Sequence, residues 1–220
     1  MEQPQPFAWY PVFLNIRGKR CVVVGGGRVA LQKVRVLLEC GANVTVVSPQ
    51  IHSEELARLA ETGTITLKQR RFAPGDLEAA LIAVAATDVH QANHNVALEA
   101  RKRGLLVNVV DNPQESDFIV PSSIRRGDLT IAISTAGSSP ALARKLRTRL
   151  EERIGKEFTG LLPLIKEVRS ELKQKGVEVS ADTWQDALDL DVLLEFGRAG
   201  QWEEAHAFLL NRLTRDMTKA

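Results

Sequence analysis

A glycine-rich turn between a buried strand and an amphipathic helix is the feature that most limits how this chain can fold. Residues 20–25, RCVVVG, form a short β-branched run that ends in glycine, which is typical of a buried strand in a parallel sheet. Apolar residues then recur with helical spacing from Arg28 to Glu39. Between these segments lies a GxGxxA pattern formed by Gly25, Gly27 and Ala30. Its first glycine permits a tight turn, its second lets the backbone approach a pyrophosphate, and the small third residue lets helix and strand pack closely.

This turn predicts a dinucleotide-binding site. A helix that begins there offers free backbone N–H groups and the positive end of its dipole to phosphate groups. A GxGxxA string alone is weakly specific, and a glycine-rich turn without a ligand is the alternative. Its place at the opening of the first βαβ unit favours the functional interpretation. We therefore predict that the cofactor contacts the residues of the turn, namely Gly25, Gly26, Gly27, Arg28, Val29 and Ala30.

The first half of the chain alternates between strand and helix patterns. Further strands are predicted at residues 43–47, 64–67, 81–86 and 106–110, and further helices at residues 54–61 and 89–103. Strands that alternate with helices form parallel βαβ units with right-handed crossovers. The predicted fold class is therefore α/β, with a Rossmann-like parallel sheet.

The pattern changes after Asp111. Two apolar runs, 118–124 and 129–134, flank Arg125-Arg126-Gly127-Asp128 and predict a hairpin with its turn at those four residues. Ser139 suits a helix N-cap and Pro140 the first helical position, and a basic helix follows to about Ile154. From Phe158 onward only helical patterns occur, with breaks near Gly176 and Gly197–Gly200. We predict three parts: a dinucleotide-binding domain (1–113), a small α+β dimerisation and substrate region (114–153) and a C-terminal helical region (154–220).

Composition and charge exclude several classes of protein. Hydrophobic residues make up 44% and charged residues 25% of the 220-residue chain, and the net charge of +2 names no partner. No apolar segment is long enough to cross a membrane. Met1 to Tyr10 lacks the basic and apolar regions of a signal peptide. We therefore expect a cytoplasmic protein in which Cys21 and Cys40 remain reduced.

The ribose-reading position, about 20 residues after the glycine turn, indicates which dinucleotide binds. It reads Val47-Ser48-Pro49-Gln50. There is no Asp or Glu for the two ribose hydroxyls and no adjacent Arg for a 2′-phosphate. We predict NAD, with Ser48 or backbone groups near Pro49 and Gln50 meeting the adenosine ribose.

Two polar residues follow the strand that begins at Leu81. Thr87 and Asp88 come at its end, where parallel strands face the ligand crevice, so we expect both near the cofactor. For Asp88, capping of the next helix is an equally good interpretation. His90 and His94 lie four residues apart on that helix and could both bind one metal ion. No third metal-binding residue follows at a recognisable spacing. A solvated helix face is the better interpretation, and we predict no metal site.

Asp111 follows the strand at residues 106–110, where catalytic groups of open α/β sheets accumulate. A carboxylate at this point can act as a general base beside a nicotinamide. The alternative is a turn-forming Asp before Asn112-Pro113.

Basic residues are concentrated in the hairpin turn and on the helix after Pro140. Such clusters usually form a solvated face, and the alternative is a seat for a polyanionic substrate, because Arg binds carboxylates as a fork. The region has no aromatic side chains to stack bases, so nucleic acid is not an expected partner. The cluster comprises Arg125, Arg126, Arg144, Lys145, Arg147, Arg149 and Arg153, opposed by Glu151 and Glu152.

These segments together resemble one family. The stretch VVVGGGRVALQKVRVLLECGANVTVVSP and the sequence AATD followed by Asn93 are similar to precorrin-2 dehydrogenase. The most specific stretch, residues 108–147, NVVDNPQESDFIVPSSIRRGDLTIAISTAGSSPALARKLR, resembles the dehydrogenase/ferrochelatase module of sirohaem synthase. The resemblance covers about residues 7–153. The helical tail resembles the family only in being helical.

The resemblance implies oxidation of precorrin-2 to sirohydrochlorin with transfer of hydride to NAD, and in some members insertion of ferrous iron. It implies that Asp111 is the catalytic carboxylate, that Arg125, Arg144 and Arg147 meet the acetate and propionate groups of the tetrapyrrole, and that the chain forms an intertwined homodimer. Some relatives continue into a methyltransferase domain that makes precorrin-2. This chain ends at Ala220, so we expect another protein to supply the substrate.

Two hypotheses follow. The first is an NAD-dependent dehydrogenase, with or without ferrochelatase activity. The second is a non-catalytic dinucleotide-sensing module that controls a partner; such a module shares the glycine turn but requires neither Asp111 nor the segment 121–147. Relatives also carry a regulatory phosphoserine at the position of Thr135, although no local feature of this sequence argues for phosphorylation there.

Overall fold

A parallel sheet forms the centre of the first half of the chain. The structure, a computed structural model, describes residues 9–215, and within this range the sheet has five strands in the order β3-β2-β1-β4-β5. The strand order reverses between β1 and β4, which is where ligands bind in open α/β sheets. In chain order the strands are β1 (Arg20–Val24), β2 (Asn43–Val47), β3 (Thr66–Lys68), β4 (Ile82–Ala85) and β5 (Leu106–Val109).

Helices cover both faces of this sheet, which confirms the predicted Rossmann-like architecture. Helices α1 (Arg28–Glu39) and α2 (Glu54–Glu61) pack with Cys21 and Val23 of β1 on one face, and α3 (His90–Lys102) packs with Val22 and Val24 on the other. Alternate residues of one strand are therefore buried on opposite faces, which explains why β1 is apolar from Cys21 to Val24. Full burial of each valine contributes about 1.5–3 kcal/mol.

A β-hairpin opens the second half. Its strands are β6 (Ser122–Arg126) and β7 (Leu129–Ile133), and Arg126 pairs with Leu129. The predicted four-residue turn is therefore wrong: Arg125 and Arg126 end β6, and the turn consists of Gly127 and Asp128 alone. A positive φ of 58° at Gly127 allows the chain to reverse in two residues.

The hairpin is followed by helices that have a core of their own. Ser139 caps the first of them, its Oγ accepting a hydrogen bond from the N–H of Leu142 at 3.2 Å, as the sequence predicted. Leu164, Val168 and Leu209 lie in the centre of this second core. The helices are α4 (Pro140–Glu151), α5 (Phe158–Gln174), α6 (Ala181–Ala187), α7 (Leu190–Ala199) and α8 (Trp202–Thr214).

The indole of Trp202 packs against two glycines in this second core. A Cβ atom at Gly160 would lie 2.6 Å from Trp202 Cη2, and one at Gly197 would lie 2.7 Å from the same atom. Both distances are too short for a real contact, so α5 and α7 need glycine at these points to admit the indole ring from α8.

Two compact units make up the chain, and the division falls between Val120 and Pro121. The finer division at residues 113 and 153 stays a prediction. Most of Met1 to Tyr10, on which the signal-peptide expectation depends, lies outside the described residues. Across residues 9–215, no helix combines the length and hydropathy that crossing a membrane would need. Within residues 9–215 no disulfide joins Cys21 and Cys40, and burial raises the pKa of Cys21 to about 11.

Candidate dinucleotide and catalytic site

The carboxyl ends of four strands meet at one edge of the sheet. Val24 is in register with Val47 of β2 and with Ala85 of β4, and Ala85 is in register with Val109 of β5. The segments that follow these strands are therefore neighbours. They are the glycine turn, the loop 48–52, the loop 86–89 and the turn at residues 110–112, which together contain most of the sequence-predicted cofactor and catalytic residues.

Two glycines of the turn are packed tightly against these neighbouring loops. Gly25 has φ +134°, and a Cβ there would overlap the carbonyl group of Ala86. A Cβ at Gly26 would overlap the carbonyl oxygen of Gln50 and lie 2.8 Å from Ser48 Oγ. The glycine turn is thus held between the loops that follow β2 and β4.

Gly27 differs from both, because its Cβ position faces open space. A Cβ there would meet no atom of the described chain within 4 Å. Gly27 is the N-cap of α1, and no side chain of residues 9–215 caps this helix; its first turn, which includes Arg28 and Val29, contains no acidic residue. Ala30 is fully buried against the sheet. Free N–H groups below an open space fit the pyrophosphate of a dinucleotide, which is the arrangement the GxGxxA spacing predicted.

The loop after β2 exposes Pro49 and Gln50 but not Ser48. Ser48 is only 6% exposed, and its hydroxyl donates to the carbonyl oxygen of Gln50 at 2.7 Å. Pro49 and Gln50 are exposed. Of the two alternatives for the ribose contact, the groups near Pro49 and Gln50 are therefore accessible, whereas the Ser48 side chain is turned into the protein.

A buried carboxylate beside this loop was not predicted from the sequence. Asp76 is fully buried and binds Arg70 Nη2 at 2.6 Å and Lys68 Nζ at 2.9 Å, and it accepts a hydrogen bond from the N–H of Ala73. Burial raises the pKa of Asp76, but these three donors outweigh burial and hold the pKa well below its ordinary range. The two cations nearest the carboxyl end of β3 are thus neutralised within the protein.

The loop after β4 is organised by a second buried residue. Asn93, 6% exposed, accepts hydrogen bonds from the Thr87 N–H and hydroxyl and donates to the Thr87 carbonyl oxygen. Thr87 therefore lies at the predicted edge, with its hydroxyl already bonded. Asp88 is exposed and does not cap α3, because the N-cap is Val89 and it makes no side-chain cap. The capping interpretation of Asp88 is wrong.

The two histidines of α3 are not brought together around a metal site. His94 Nδ1 lies 2.5 Å from Glu115 Oε1, and His90 is exposed at the start of the helix. In the part of the chain that the structure describes, no three His, Cys, Asp or Glu side chains come together as metal ligands do.

Asp111 is exposed at the end of β5, in an unusual backbone conformation. Its φ is +58°, in the left-handed region that non-glycine residues rarely occupy. The turn is closed by a hydrogen bond from the N–H of Asn112 to the carbonyl oxygen of Val109, and Asn112 Oδ1 accepts from the N–H of Glu115. Between residues 9 and 215, no group donates a hydrogen bond to the Asp111 carboxylate. The side chain that makes the turn is therefore Asn112, and the Asp111 carboxylate is available for chemistry.

The basic cluster of the second unit has one open portion. Arg147 is paired with Glu151 at 2.9 Å, and Arg126 Nε donates to the carbonyl oxygen of Ile154. Arg144, by contrast, is exposed. Together with Ala141, Lys145 and Thr148 it lines a shallow cavity of about 280 Å³.

Two family models match consecutive parts of the chain. The model described as "Putative NAD(P)-binding" matches residues 12–122, half of the chain. The model described as "Sirohaem biosynthesis protein central" matches residues 126–153, which include the end of β6, all of β7 and all of α4.

Curated relatives extend the same match. Proteins named "Siroheme synthase" from Nitrosococcus oceani and Chromobacterium violaceum are 40% and 42% identical over 203 and 183 residues. These alignments cover 91% and 82% of this chain but only 43% and 39% of the relatives, so the chain spans less than half their length. Among solved structures, one titled "SirC, precorrin-2 dehydrogenase" superposes with a TM-score of 0.72 at 26% identity, covering 91% of this chain and 98% of that one.

Proposed function

Because this chain belongs to the family of NAD(P)-binding modules that form the N-terminal part of sirohaem synthases, we propose that it oxidises precorrin-2 to sirohydrochlorin with NAD as hydride acceptor. The observation that carries the proposal is the position of Asp111. Its unbonded carboxylate follows β5, at the same sheet edge as a glycine turn built for a dinucleotide. The solved structure titled precorrin-2 dehydrogenase supports the same assignment, because the match covers 98% of that chain.

Each part of the site has a definite task in this reaction. The N–H groups at the start of α1 bind the pyrophosphate, and Gly27 leaves room for it. In an open α/β sheet a dinucleotide lies across the strand ends, so that its reactive half reaches the strands on the β4–β5 side. Bound NAD supplies a hydride acceptor. Asp111 accepts the proton that the substrate loses, and the loss of one hydride and one proton extends the conjugation of the macrocycle.

The choice of NAD is supported by how cations are arranged near the ribose position. Lys68 and Arg70 are two of the basic side chains at the end of the strand beside β2, and both are bound to Asp76. They are therefore not free to bind a 2′-phosphate. The accessible backbone near Pro49 and Gln50 suits the uncharged ribose of NAD.

The second unit supplies the groups for an acidic substrate. Arg144 is exposed in the cavity on α4, and we assign Arg144, with Arg125 and Arg147, to the acetate and propionate groups of the tetrapyrrole. Arg147 must exchange Glu151 for a substrate carboxylate, so Arg144 contributes more. Exposed leucines on α4 further support a homodimer formed through residues 118–150.

The test is incubation of the purified protein with precorrin-2 and NAD while the absorption spectrum is followed. The proposal expects conversion to the sirohydrochlorin spectrum with one NADH formed per macrocycle. Binding of NAD without conversion would instead support the dinucleotide-sensing module. Ferrous iron added after conversion tests metal insertion, in which iron is a substrate.

A further inference from the structure

Lys33 of α1 is a half-buried cation for which the reaction described above gives no role. Its side chain makes no hydrogen bond or ion pair with any residue in the range 9–215, although burying part of an unpaired ammonium is costly. Burial lowers the pKa of Lys33, and the negative charge of Asp111 acts in the opposite direction. Asp111 is therefore close enough to Lys33 to be felt electrostatically.

The orientation of α1 leads independently to the same neighbour. Arg35, two residues beyond Lys33, binds Glu55 of α2 with Nε 2.7 Å from Oε1, so this side of α1 faces α2. Residues two apart on a helix are separated by about 200°, so Lys33 lies on the opposite margin. That margin is directed toward the β4–β5 side of the sheet, where Val110, the residue before Asp111, packs in the same core as α1.

The direction of helical side chains carries the Lys33 ammonium toward the sheet edge at which Asp111 lies. Helix α1 begins at the sheet edge that carries the glycine turn, and Lys33 is its sixth residue. Side chains of a helix point back toward its N-terminus. The long stem of Lys33 therefore extends toward the edge at which Asp111 follows β5.

We propose that Lys33 is a positioning residue of the dehydrogenase site, whose ammonium lies beside the Asp111 carboxylate and holds it by charge attraction where it accepts the substrate's proton. The inference rests on the proposed function, in which Asp111 is the base. A tetrapyrrole edged with carboxylates brings negative charge into the site, and like charges repel the Asp111 carboxylate from the substrate. One ammonium fixed beside Asp111 opposes that effect without occupying the space of the substrate.

The kinetic test compares three single variants. Lys33→Met keeps the apolar stem and removes the charge, and we expect its kcat to fall about tenfold or more with an unchanged KM for NAD. Lys33→Arg keeps the charge and should recover most of the rate. Arg35→Met removes a charge from the opposite margin of the same helix and should leave kcat unchanged. Equal rates for Lys33→Met and Arg35→Met would overturn the proposal.

A double variant tests whether Lys33 acts through Asp111. Once Asp111→Asn has removed the carboxylate, adding Lys33→Met should lower the rate no further. Losses that multiply instead would show that Lys33 acts independently of Asp111, which would also overturn the proposal.

A spectroscopic test works without turnover. Lysines are reductively methylated with ¹³C, the Lys33 resonance is assigned from its loss in Lys33→Arg, and its titration is compared between the wild-type protein and Asp111→Asn. The pKa of Lys33 should be lower in Asp111→Asn, because the carboxylate that raises it is gone. An unchanged titration would refute the pairing. Full activity of Asp111→Asn would refute the proposed base, and the titration would still report whether the two groups are paired.

Discussion

The side-chain amide of Asn93 binds Thr87 at its N–H, its carbonyl oxygen and its hydroxyl. Asn93 Oδ1 accepts from the Thr87 N–H at 3.2 Å and from Thr87 Oγ1 at 2.8 Å, while Nδ2 donates to the Thr87 carbonyl oxygen at 2.9 Å. Thr87 follows Ala86, whose carbonyl group touches Gly25. Asn93 therefore holds the loop against which the glycine turn is packed, so contacts within the protein set the position of the turn.

Gly27→Val should abolish NAD binding and leave the fold intact. The added side chain projects into the open space above the start of α1, where the pyrophosphate would lie, and its Cβ meets no described atom of the protein. Calorimetric titration with NAD and circular dichroism measure the two effects. Gly26→Ala is the matched control for packing: its Cβ overlaps the Gln50 carbonyl, so this variant should lose stability even without ligand. Normal NAD affinity in a folded Gly27→Val protein would refute the site.

Asp111→Asn should lower the rate of precorrin-2 oxidation by about 10²-fold or more, the usual scale for a general acid–base group. Asn tolerates the left-handed conformation at this position better than Ala does, so the turn is retained while the basicity is lost. NAD affinity should barely change, because the phosphates are held at Gly25 to Ala30. Oxidation at the wild-type rate would show that Asp111 is only a turn residue, and Asp88 would then be the next candidate for the base.

NAD should be the better hydride acceptor, measured as a higher kcat/KM than for NADP. The physical reason is that two basic side chains which follow the strand beside β2, Lys68 and Arg70, are bound to Asp76. Equal values, or a preference for NADP, would contradict this prediction.

Asp76→Asn should lower the free energy of unfolding by about 2–3 kcal/mol near pH 7, because it breaks a buried ion-pair cluster. The pKa of Asp76 is lowered on folding, so its stabilising contribution is complete above the ordinary range near pH 4 and is lost as the pH falls below it. In urea titrations the difference between wild type and variant should therefore stay constant from pH 7 to about pH 5 and narrow as the pH falls below about 4. Asp128→Asn, which removes an exposed partner of Lys166, is the control and should barely change stability. A difference independent of pH would contradict the assignment.

The protein should be a dimer at micromolar concentration, as measured by light scattering. Leu142 and Leu146 lie one turn apart on α4 and are 49% and 39% exposed, so an interface that buries them would gain apolar area. Charging both, as Leu142→Glu with Leu146→Glu, should yield monomers. Leu190→Glu alters a comparably exposed leucine of α7 and should remain dimeric. A monomeric wild-type protein would refute the prediction.

Local sequence patterns predicted the elements that have strong periodicity or clear end signals. Helices α1 and α2 and strand β2 begin and end at the predicted residues. Strand β3, predicted at residues 64–67, is a three-residue edge strand, Thr66–Lys68. Its position depends on pairing with β2 rather than on its own residues, which explains the shift.

The parts of the site that the sequence did not reveal depend on contacts between distant elements. The cluster around Asp76 joins the end of β3 to a 3₁₀ turn at Pro74–Leu77, and no periodic pattern marks it. The hydrogen bond from the Ser48 hydroxyl to the Gln50 carbonyl oxygen likewise could not be predicted from the sequence. The orientation of Lys33 likewise depends on the contact of Arg35 with Glu55 and on the packing of α1 on the sheet, which the spacing of residues along the helix does not give.

The seating of Trp202 against Gly160 and Gly197 has a consequence for how unfolding is observed. Of the chain's three tryptophans, Trp184 and Trp202 belong to the helices after the hairpin, and residues 10–183 contain none. The parallel sheet and its crossover helices are therefore without an indole chromophore. Intrinsic fluorescence during denaturation will therefore report the loosening of α6 and α8 through Trp184 and Trp202, whereas Trp9, which precedes the sheet, is the one indole of the first unit.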